Sequence, residues 1–422
     1  ESPMALLGEI RLPGDKSISH RALMFTALSD GLSRLENLNP GADVATTQRA
    51  LINCGIHIEE KHGVVHVQGG GLHPFKQPEL GLDCGNSGTT ARLMMGLLAA
   101  HPIHVQVTGD QSLSKRPMDR VFRPLQQMGA NISANKRKYL PLMLSGRDLW
   151  ALDYQLPYAS AQVKSAILLA GLHAKGQTTV KSPAFSRDHT EQMLKAMGAR
   201  IKVKGREVSV HQLTKPLKPI DLVIPGDFSA AAFFIAAALL VPDSDLILRG
   251  VGINPTRTAF LKAVKDMGGK VTVANKAKLS GEAIADIRIR ASKLKGIQIF
   301  PEQIPNLIDE LPLIALLATQ AEGETVVTGA DELRVKESDR ITAIVTNLSA
   351  WGAKIFERPD GFHVEGPTPL KGGKVKTYKD HRIAMTLGIA GLISKLPASL
   401  DDPNCVDISY PGFFDELRGL IS

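Results

Sequence analysis

The stretch Gly14-Asp15-Lys16-Ser17 opens an apolar run of helical period, and five other stretches look like copies of it. The copies are Gly85-Asn86-Ser87-Gly88-Thr89, Tyr158-Ala159-Ser160-Ala161-Gln162, Gly226-Asp227-Phe228-Ser229, Leu307-Ile308-Asp309-Glu310 and Lys379-Asp380-His381-Arg382. The start of a helix presents unpaired N–H groups and the positive end of the helix dipole, and both favour anions. Repeated helix starts of this kind predict one anion-binding cleft assembled from many parts of the chain.

A second marker follows the next helix of each repeat, where a glycine is succeeded by an alternating stretch. The copies are Cys54-Gly55-Ile56, Met128-Gly129-Ala130, Met197-Gly198-Ala199, Met267-Gly268-Gly269 and Trp351-Gly352-Ala353, so these glycines lie 74, 69, 70 and 84 residues apart. Glycine just past a helix is a typical stop signal, and the alternation over residues 57–67 and 200–210 predicts hairpin strands. The repeat is therefore a helix, a strand, a helix and two paired strands. It is too long for a common solenoid repeat, which favours a compact globular array.

The length of 422 residues predicts two domains, because a single core rarely grows so large. Residues 213–226 contain three prolines and precede a new helix start, so we place one crossing between domains near Gly226 and the other at Pro13-Gly14. The prediction is an α/β protein in which residues 1–14 and 227–422 form a first domain of three repeats. Residues 15–226 form a second domain of three repeats, with the active site in the cleft between the two.

Composition limits the classes of function. The net charge of +8 permits anionic partners, but aromatic residues make up only 5% and no aromatic-plus-basic stretch occurs, so no nucleic-acid partner is expected. Three cysteines without a CxxC pair or zinc-type spacing predict a reducing, cytoplasmic location and no metal. The longest apolar run, residues 228–241, is too short to span a bilayer and predicts a buried helix.

Cations recur at the predicted helix starts. Lys16 and Arg21 bracket the first turn of one helix, and the small residues of Gly85–Thr90 would let backbone amides approach a phosphate, although the Walker pattern is absent. Lys115 and Arg116 stand directly before Pro117, which suits a first helical position. Each segment taken singly is equally well explained as a capped helix with surface cations. Their recurrence at equivalent helix starts favours one shared anionic site.

Two carboxylates fall among these cations. Asp309 lies inside an apolar stretch, and Glu337 lies between Lys336 and Arg340. Taken separately, Asp309 could be a helix N-cap and Glu337 could form a surface ion pair. Together they predict acid–base chemistry beside the cation cluster.

Six segments of the chain, in order, resemble the 5-enolpyruvylshikimate-3-phosphate synthase family. They are Gly14–Arg21, Gly85–Arg92, Lys115-Arg116-Pro117, Ser160-Ala161-Gln162, Arg334–Arg340 and Asp380-His381-Arg382. The resemblance covers essentially the whole chain. It implies an enolpyruvyl transferase-like fold of two similar domains, each built from three βαβαββ units, with the chain crossing twice between them.

The resemblance also implies transfer of the enolpyruvyl group of phosphoenolpyruvate to the 5-hydroxyl of shikimate 3-phosphate, with release of phosphate, by a monomer that needs no cofactor. In that reaction Asp309 would deprotonate the hydroxyl, Glu337 would protonate the methylene carbon and Lys16 would assist departure of phosphate. The residues implied for shikimate 3-phosphate are Lys16, Ser17, Arg21, Ser160, Ala161, Gln162, Arg187, Asp309 and Lys336. Those implied for phosphoenolpyruvate are Lys16, Gly88, Arg116, Gln162, Arg340 and Arg382.

The sequence departs from the family in two places. Many relatives carry a lysine shortly before an aromatic-Pro pair, whereas residues 405–411 read CVDISYP, so either the other cations suffice or another residue substitutes. Ala161 stands where a variant of the family has serine, which leaves the backbone as the donor there. Gly88 lies where glyphosate-insensitive relatives carry alanine, so the resemblance implies competitive inhibition by glyphosate.

Three rival interpretations remain at this stage. The related UDP-N-acetylglucosamine enolpyruvyl transferases usually carry a reactive cysteine before the Arg-Pro pair, and residues 111–115 contain none. A nucleic-acid-processing protein would be suggested by charge alone. A noncatalytic repeat scaffold would have no use for Asp309 and Glu337. Phosphate release from shikimate 3-phosphate plus phosphoenolpyruvate separates all of these.

Overall fold

The computed structural model describes residues 5–279 and 281–421. Their contacts divide the chain into two compact units. Unit 1 holds the described residues up to Asp15, Pro225–Lys278 and those from Glu282 onward, and unit 2 holds Lys16–Ile224 with Leu279 and Gly281. Each unit encloses a hydrophobic core of its own. The domain boundaries expected from the sequence stay a prediction, and their residues 1–4 and 422 lie outside the described residues.

The described residues form twelve α-helices and twenty-two strands. The helices are α1 (Lys16–Ala27), α2 (Ala42–Asn53), α3 (Gly88–Leu98), α4 (Asp119–Gln127), α5 (Ala161–Gly171), α6 (His189–Ala196), α7 (Phe228–Leu240), α8 (Ala259–Asp266), α9 (Leu311–Gln320), α10 (Arg340–Ala350), α11 (His381–Leu392) and α12 (Phe413–Gly419). The strands are β1 (Leu7–Arg11), β2 (Leu32–Glu36), β3 (His57–Lys61), β4 (Val64–Gln68), β5 (Leu82–Asp83), β6 (His104–Thr108), β7 (Asn131–Asn135), β8 (Tyr139–Ser145), β9 (Asp153–Gln155), β10 (Gln177–Lys181), β11 (Ile201–Lys204), β12 (Glu207–His211), β13 (Asp221–Val223), β14 (Asp245–Gly252), β15 (Lys270–Leu279), β16 (Glu282–Arg290), β17 (Gln298–Ile299), β18 (Gly323–Val327), β19 (Lys354–Arg358), β20 (Gly361–Gly366), β21 (Gly373–Val375) and β22 (Ala398–Leu400).

One strand pattern recurs in both units. Unit 2 contains sheets ordered β13-β2-β4-β3, β5-β6-β8-β7 and β9-β10-β12-β11, and unit 1 contains β1-β14-β16-β15, β17-β18-β20-β19 and the shorter β21-β22. In each sheet the first two strands are parallel, and the third strand of every four-stranded sheet is antiparallel to the second. Parallel neighbours need a crossover, which a helix supplies. The predicted repeat of helix, strand, helix and paired strands is therefore confirmed, and the sixth copy ends at α12 without a hairpin among the described residues.

Two of the sheets are completed by strands that are distant in sequence. β1 pairs with β14, so that Leu7 faces Asp245, and β13 pairs with β2, so that Asp221 faces Arg34. β1 and α1 are neighbours along the chain, but β1 belongs to unit 1 and α1 to unit 2. The first strand of the repeat that contains α1 is instead β13, which lies almost two hundred residues later.

The helix starts and stops agree with the sequence prediction except at one proline. All six copied stretches precede or open an α-helix, α9 after a short 3₁₀ segment at Ile308–Glu310, and the five stop glycines have positive φ between 88° and 113°. Only glycine adopts that conformation without strain. The expectation that Pro117 begins a helix is wrong, because Leu113–Lys115 form a 3₁₀ turn and α4 begins at Asp119.

The longest apolar run forms α7, which is buried on all sides, as predicted. No helix among the described residues has the length and apolar character to cross a bilayer. Cys54, Cys84 and Cys405 are all buried and unpaired. Burial raises the pKa of each thiol to about 12, so they stay protonated at neutral pH.

Candidate active site

The start of α1 places two predicted cations in unit 2. Lys16 Nζ donates to Asp43 Oδ2 on α2 at 2.9 Å, and both side chains are largely buried. The guanidinium of Arg21, 3% exposed, donates to Thr190 Oγ1 at 2.8 Å, to Ser165 Oγ at 3.0 Å and to the carbonyl oxygen of Ser17 at 3.0 Å. Three fixed acceptors on three helices hold one side chain in one orientation. Ser17 and Arg21 are thus brought together.

The start of α3 gathers a second group in unit 2. Arg92 Nη1 donates to Gln162 Oε1 at 2.8 Å, and Gln162 Nε2 donates in turn to Thr89 Oγ1 at 3.0 Å. Arg116 Nη2 donates to Asn86 Oδ1 at 2.8 Å and to the Asn86 carbonyl oxygen at 3.1 Å. Gly88, Arg116 and Gln162 therefore meet around Arg92, which the sequence had not singled out as a binding residue.

Gly88 leaves room for these guanidinium groups. A Cβ atom on this residue would lie 2.7 Å from Arg92 Nη1 and 3.2 Å from Arg116 Nη1. The first distance is shorter than van der Waals contact, so a methyl group would displace at least one guanidinium. The absence of a side chain at Gly88 thus fixes where two cations stand.

The start of α5 carries the third group. Ser160 caps the helix by accepting the N–H of Val163 at 3.3 Å, and Ala161 is its first residue. Lys164 forms a buried ion pair with Glu191 and donates to the carbonyl oxygen of Arg187 at 2.9 Å. This bond ties the segment that carries Arg187, which is half-buried, to α5.

Arg340 is the centre of the corresponding group in unit 1. Its side chain is 1% exposed, and three carboxylates surround it. Nε donates to Asp380 Oδ2 at 2.8 Å and Nη2 to Asp380 Oδ1 at 3.2 Å, a two-pronged contact, while Nη2 also pairs with Glu337 Oε2 at 2.6 Å. Asp309 Oδ1 lies farther away, 3.5 Å from Nη1. Burial disfavours the charge of Arg340, but Asp380, Glu337 and Asp309 outweigh it and raise its pKa above the ordinary value.

Two further predicted cations adjoin this group. Arg382 Nη2 lies 3.7 Å from Asp309 Oδ2, and its Nη1 donates to the carbonyl oxygen of Asp309 at 3.4 Å. Desolvation lowers the pKa of Lys336, against the opposing attraction of Asp309 and Glu337. All five site residues predicted in unit 1 are therefore brought together around Arg340.

Asp380 is the residue of this group that the sequence interpretation left out. It is fully buried, caps α11 by accepting the N–H of Arg382 at 3.0 Å, and also accepts the hydroxyl of Ser338 at 2.8 Å. The sequence signal was available, because Asp380 stands at the last of the six copied helix starts. Its dual role as cap and partner of Arg340 depends on α10 and α11 packing together.

A second buried charge network in unit 1 joins residues of three copied helix starts to Arg257, which carried no sequence signal. Arg257 Nη1 pairs with Asp15 Oδ2 at 2.8 Å, and Nη2 lies 3.7 Å from Asp227 Oδ1 and donates to Ser229 Oγ at 2.7 Å. Ser229 Oγ donates to Glu310 Oε1, 2.7 Å away. Asp15 and Asp227 each follow one of the two Pro-Gly segments at which the chain passes from one unit to the other. The network therefore fixes both segments and the residue next to Asp309.

Comparisons with known proteins identify the family of this chain. The family model described as EPSP synthase (3-phosphoshikimate 1-carboxyvinyltransferase) matches residues 1–417. A 3-phosphoshikimate 1-carboxyvinyltransferase from Brevibacillus brevis is 48% identical over 97% of this chain and 96% of its own length, and one from Bacillus subtilis is 47% identical over 98% and 97%.

Solved structures show the same likeness. EPSP synthase from Acinetobacter baumannii superimposes with a TM-score of 0.87 at 41% identity, over 99% of this chain and 96% of that one. The enolpyruvyl transferase NikO from Streptomyces tendae has a TM-score of 0.81 over 99% of this chain and 96% of its own, and at 18% identity it shares the fold alone. The chain belongs to the EPSP synthase (3-phosphoshikimate 1-carboxyvinyltransferase) family of enzymes.

Proposed function

We propose that this chain transfers the enolpyruvyl group of phosphoenolpyruvate to the 5-hydroxyl of shikimate 3-phosphate and releases phosphate. The observation that carries the proposal is the group around Arg340, where two carboxylates suited to proton transfer, Asp309 and Glu337, lie against three cations. Each substrate carries a carboxylate and a phosphoryl group, so fixed cations are the chemistry that binds them.

The proton transfers are assigned to unit 1. Asp309 takes the proton of the 5-hydroxyl group while the hydroxyl oxygen attacks C2 of phosphoenolpyruvate. Glu337 donates a proton to C3, which gives a tetrahedral intermediate. Glu337 then takes a proton back from C3 while the C–O bond to phosphate breaks and Lys16 offsets the leaving charge. The double bond is restored, and the proton that Asp309 took from the hydroxyl passes to the released phosphate, so that both carboxyl groups return to their starting states.

Substrate binding would itself release the acid–base groups. The contacts of Asp309 with Arg340 and Arg382 are long, 3.5 and 3.7 Å, compared with 2.8 Å for Asp380. An incoming carboxylate or phosphate of phosphoenolpyruvate competes for the same two guanidinium groups. Displacing Asp309 leaves a carboxylate with weaker partners, which makes it a stronger base for the hydroxyl.

The anchoring of substrate is assigned mostly to unit 2. Shikimate 3-phosphate is held by the residues at the starts of α1 and α5 together with Lys16, Asp309 and Lys336. The full set proposed at those two helix starts and before α6 is Ser17, Arg21, Ser160, Ala161, Gln162 and Arg187. Phosphoenolpyruvate is held by Lys16, Gly88, Arg116, Gln162, Arg340 and Arg382. A monomeric state, a cytoplasmic location and the lack of a nucleic-acid partner stay predictions.

The test is the complete reaction with both substrates. Purified protein mixed with shikimate 3-phosphate and phosphoenolpyruvate is expected to release one phosphate for each enolpyruvyl ether detected by mass spectrometry. Replacing shikimate 3-phosphate with UDP-N-acetylglucosamine is the matched control. Turnover of the nucleotide sugar, or no product from shikimate 3-phosphate, would contradict the proposal.

A further inference from the structure

Three histidines from separate parts of unit 2 meet at one point. His73 lies in the loop between β4 and β5, His101 in the turn after α3 and His173 in the turn after α5. One ring nitrogen from each lies within 4.8 Å of the others, and the ring centroids are 4.7 to 5.7 Å apart. The three residues are 28 and 72 positions apart in sequence, which is why no metal-binding spacing was visible there.

Hydrogen bonds fix which nitrogen of each buried ring carries its lone pair. His101 Nδ1 is 3.0 Å from the carbonyl oxygen of Leu97, and His173 Nε2 is 2.8 Å from that of Leu72. A carbonyl only accepts, so these nitrogens carry the protons, and in a neutral ring the other nitrogen is unprotonated. Those other atoms, His101 Nε2 and His173 Nδ1, are buried and form no hydrogen bond of normal geometry, although a second carbonyl, of Leu72 for His101 and of Leu169 for His173, lies near each ring. Metal-binding histidines typically show this arrangement, with the second ring nitrogen bonded to a carbonyl.

The environment keeps both buried rings neutral. Burial lowers the pKa of His101 to about 4, with His173 adding to the effect and the carbonyls of Leu72 and Leu97 opposing it. Burial likewise lowers the pKa of His173.

The buried rings follow the ends of two helices that pack closely together. A Cβ on Gly96 of α3 would lie 2.2 Å from the carbonyl oxygen of Ala166 on α5, so the helices touch backbone to backbone. His101 and His173 follow the carboxyl ends of these helices, where the partial negative charge of the helix dipole favours a cation. The point where the rings meet lies at the end of α3 opposite Gly88, about 16 Å along the helix axis.

We propose that His73, His101 and His173 bind one divalent transition-metal ion of the zinc class as a structural site that this enzyme family's reaction does not use. Imidazole ligands favour zinc, copper and nickel over magnesium and calcium. Zn–N bonds of about 2.0–2.1 Å place tetrahedral ligand atoms roughly 3.3 Å apart, and side-chain rotations of the three histidines, whose nitrogens lie within 4.8 Å of one another, would have to close the remaining gap. The ion joins the loop over residues 69–81 to the ends of α3 and α5, and a water occupies the fourth position.

The test uses the full chain stripped of metal with a chelator. Titration with Co²⁺ is expected to give one bound ion and the strong visible absorption of tetrahedral coordination, and Zn²⁺ is expected to displace it. At free Zn²⁺ about 100 times the dissociation constant, the Tm should rise by about 5–10 °C. The rate of phosphate release should stay within about twofold with and without the ion, because the histidines lie at the far end of α3.

His73→Ala is the decisive variant, because this exposed side chain can be removed without disturbing the core. We expect it to weaken Co²⁺ binding by about 100-fold or more and to abolish the tetrahedral spectrum. His57→Ala, which removes an exposed histidine of β3, should bind as the unchanged chain does. Equal Co²⁺ affinity in the His73 variant, an octahedral spectrum, or no binding by the unchanged chain would each overturn the proposal.

Discussion

The arginines at the candidate site differ between the two units in their hydrogen-bond partners, although the lysines of unit 2, Lys16 and Lys164, do pair with carboxylates. In unit 2, Arg21, Arg92 and Arg116 donate to hydroxyl, amide and carbonyl oxygens, which are neutral. In unit 1, Arg340 and Arg382 stand against the carboxylates of Asp309, Glu337 and Asp380. A neutral acceptor fixes the direction of a guanidinium without cancelling its charge, whereas a carboxylate does both.

In the mechanism proposed above, this difference separates two tasks of the reaction. The bonds in unit 2 leave the positive charge available for a substrate phosphate or carboxylate, so that side chains are positioned before the anion arrives. In unit 1 the side chains of Arg340, Arg382 and Lys336 stand against the carboxyl groups of Asp309, Glu337 and Asp380. Such a balanced group binds an anion less strongly but keeps ionisable groups ready for proton transfer.

The largest expected effect concerns the carboxylates of unit 1. Asp309→Ala should reduce turnover by about 10²–10⁴, the range for a general base, and leave the KM of both substrates within severalfold. Arg116→Ala, in unit 2, should instead mainly raise the KM for phosphoenolpyruvate. Steady-state phosphate release measures both. Asp331→Ala, which removes an exposed carboxylate of unit 1, is the control, and near-normal turnover of the Asp309 variant would remove that residue from the mechanism.

A second effect concerns stability, which depends on whether the partner left behind by a removed arginine is charged or neutral. Arg340→Met leaves the fully buried Asp380 without its cation, so the free energy of unfolding of unit 1 should fall by about 3–5 kcal/mol. Arg116→Met, at a side chain that is buried to a similar degree, removes hydrogen bonds to the neutral Asn86, and unit 2 should lose about 0.5–1.5 kcal/mol. Urea unfolding followed by hydrogen exchange in peptides of each unit measures the pair. Losses of equal size would mean that the two kinds of partner do not differ in energy.

Mild acid should distinguish the units by stability. The pKa of His101 is lowered to about 4 in the folded chain, so between that value and the ordinary one near 6.5 the unfolded chain binds the extra proton. Stability from this residue is present above pH 6.5 and is lost as the pH falls towards 4, by about 2 kcal/mol at pH 5 in metal-free protein. Urea midpoints of unit 2 peptides at pH 7 and pH 5 measure the loss.

Unit 1 should keep its stability over the same range. Although burial opposes it, hydrogen bonds from Asn275, Gly250 and Arg249 lower the pKa of Asp286 below its ordinary 3.8. The contribution of Asp286 to the stability of unit 1 is therefore present above pH 3.8 and is lost only below it. A loss of unit 1 stability at pH 5 as large as that of unit 2 would contradict the assignment to the histidines.

The smallest expected effect concerns the positions of the unit 2 cations. A methyl group in Gly88→Ala meets Arg92 and Arg116, so we expect it to weaken competitive inhibition by glyphosate about tenfold and to raise the KM for phosphoenolpyruvate by less. The inhibitor is slightly longer than the substrate, so displacement of the guanidinium groups should reduce its affinity more than that of phosphoenolpyruvate. Gly419→Ala, where a Cβ meets nothing within 4 Å, should change neither constant. Equal inhibition of the two variants would refute the steric argument.

The sequence by itself determined the repeat. Helix starts and stop glycines depend on local backbone chemistry, so Gly55 and its four counterparts marked helix ends that the structure confirms by their positive φ. The candidate site residues of unit 1, Asp309 and Glu337 among them, were also found from sequence. They lie at or just before helix starts, where polar residues stand out against apolar runs.

Only the tertiary structure decided which distant residues meet. The exchange of β1 and β13 between repeats, the two-pronged hold of Asp380 on Arg340 and the meeting of His73, His101 and His173 join residues separated by tens or hundreds of positions. Periodicity describes one element at a time and carries no information on which elements become neighbours. That choice depends on how whole faces bury one another, as when Gly96 lets α3 and α5 touch and so brings two histidines together.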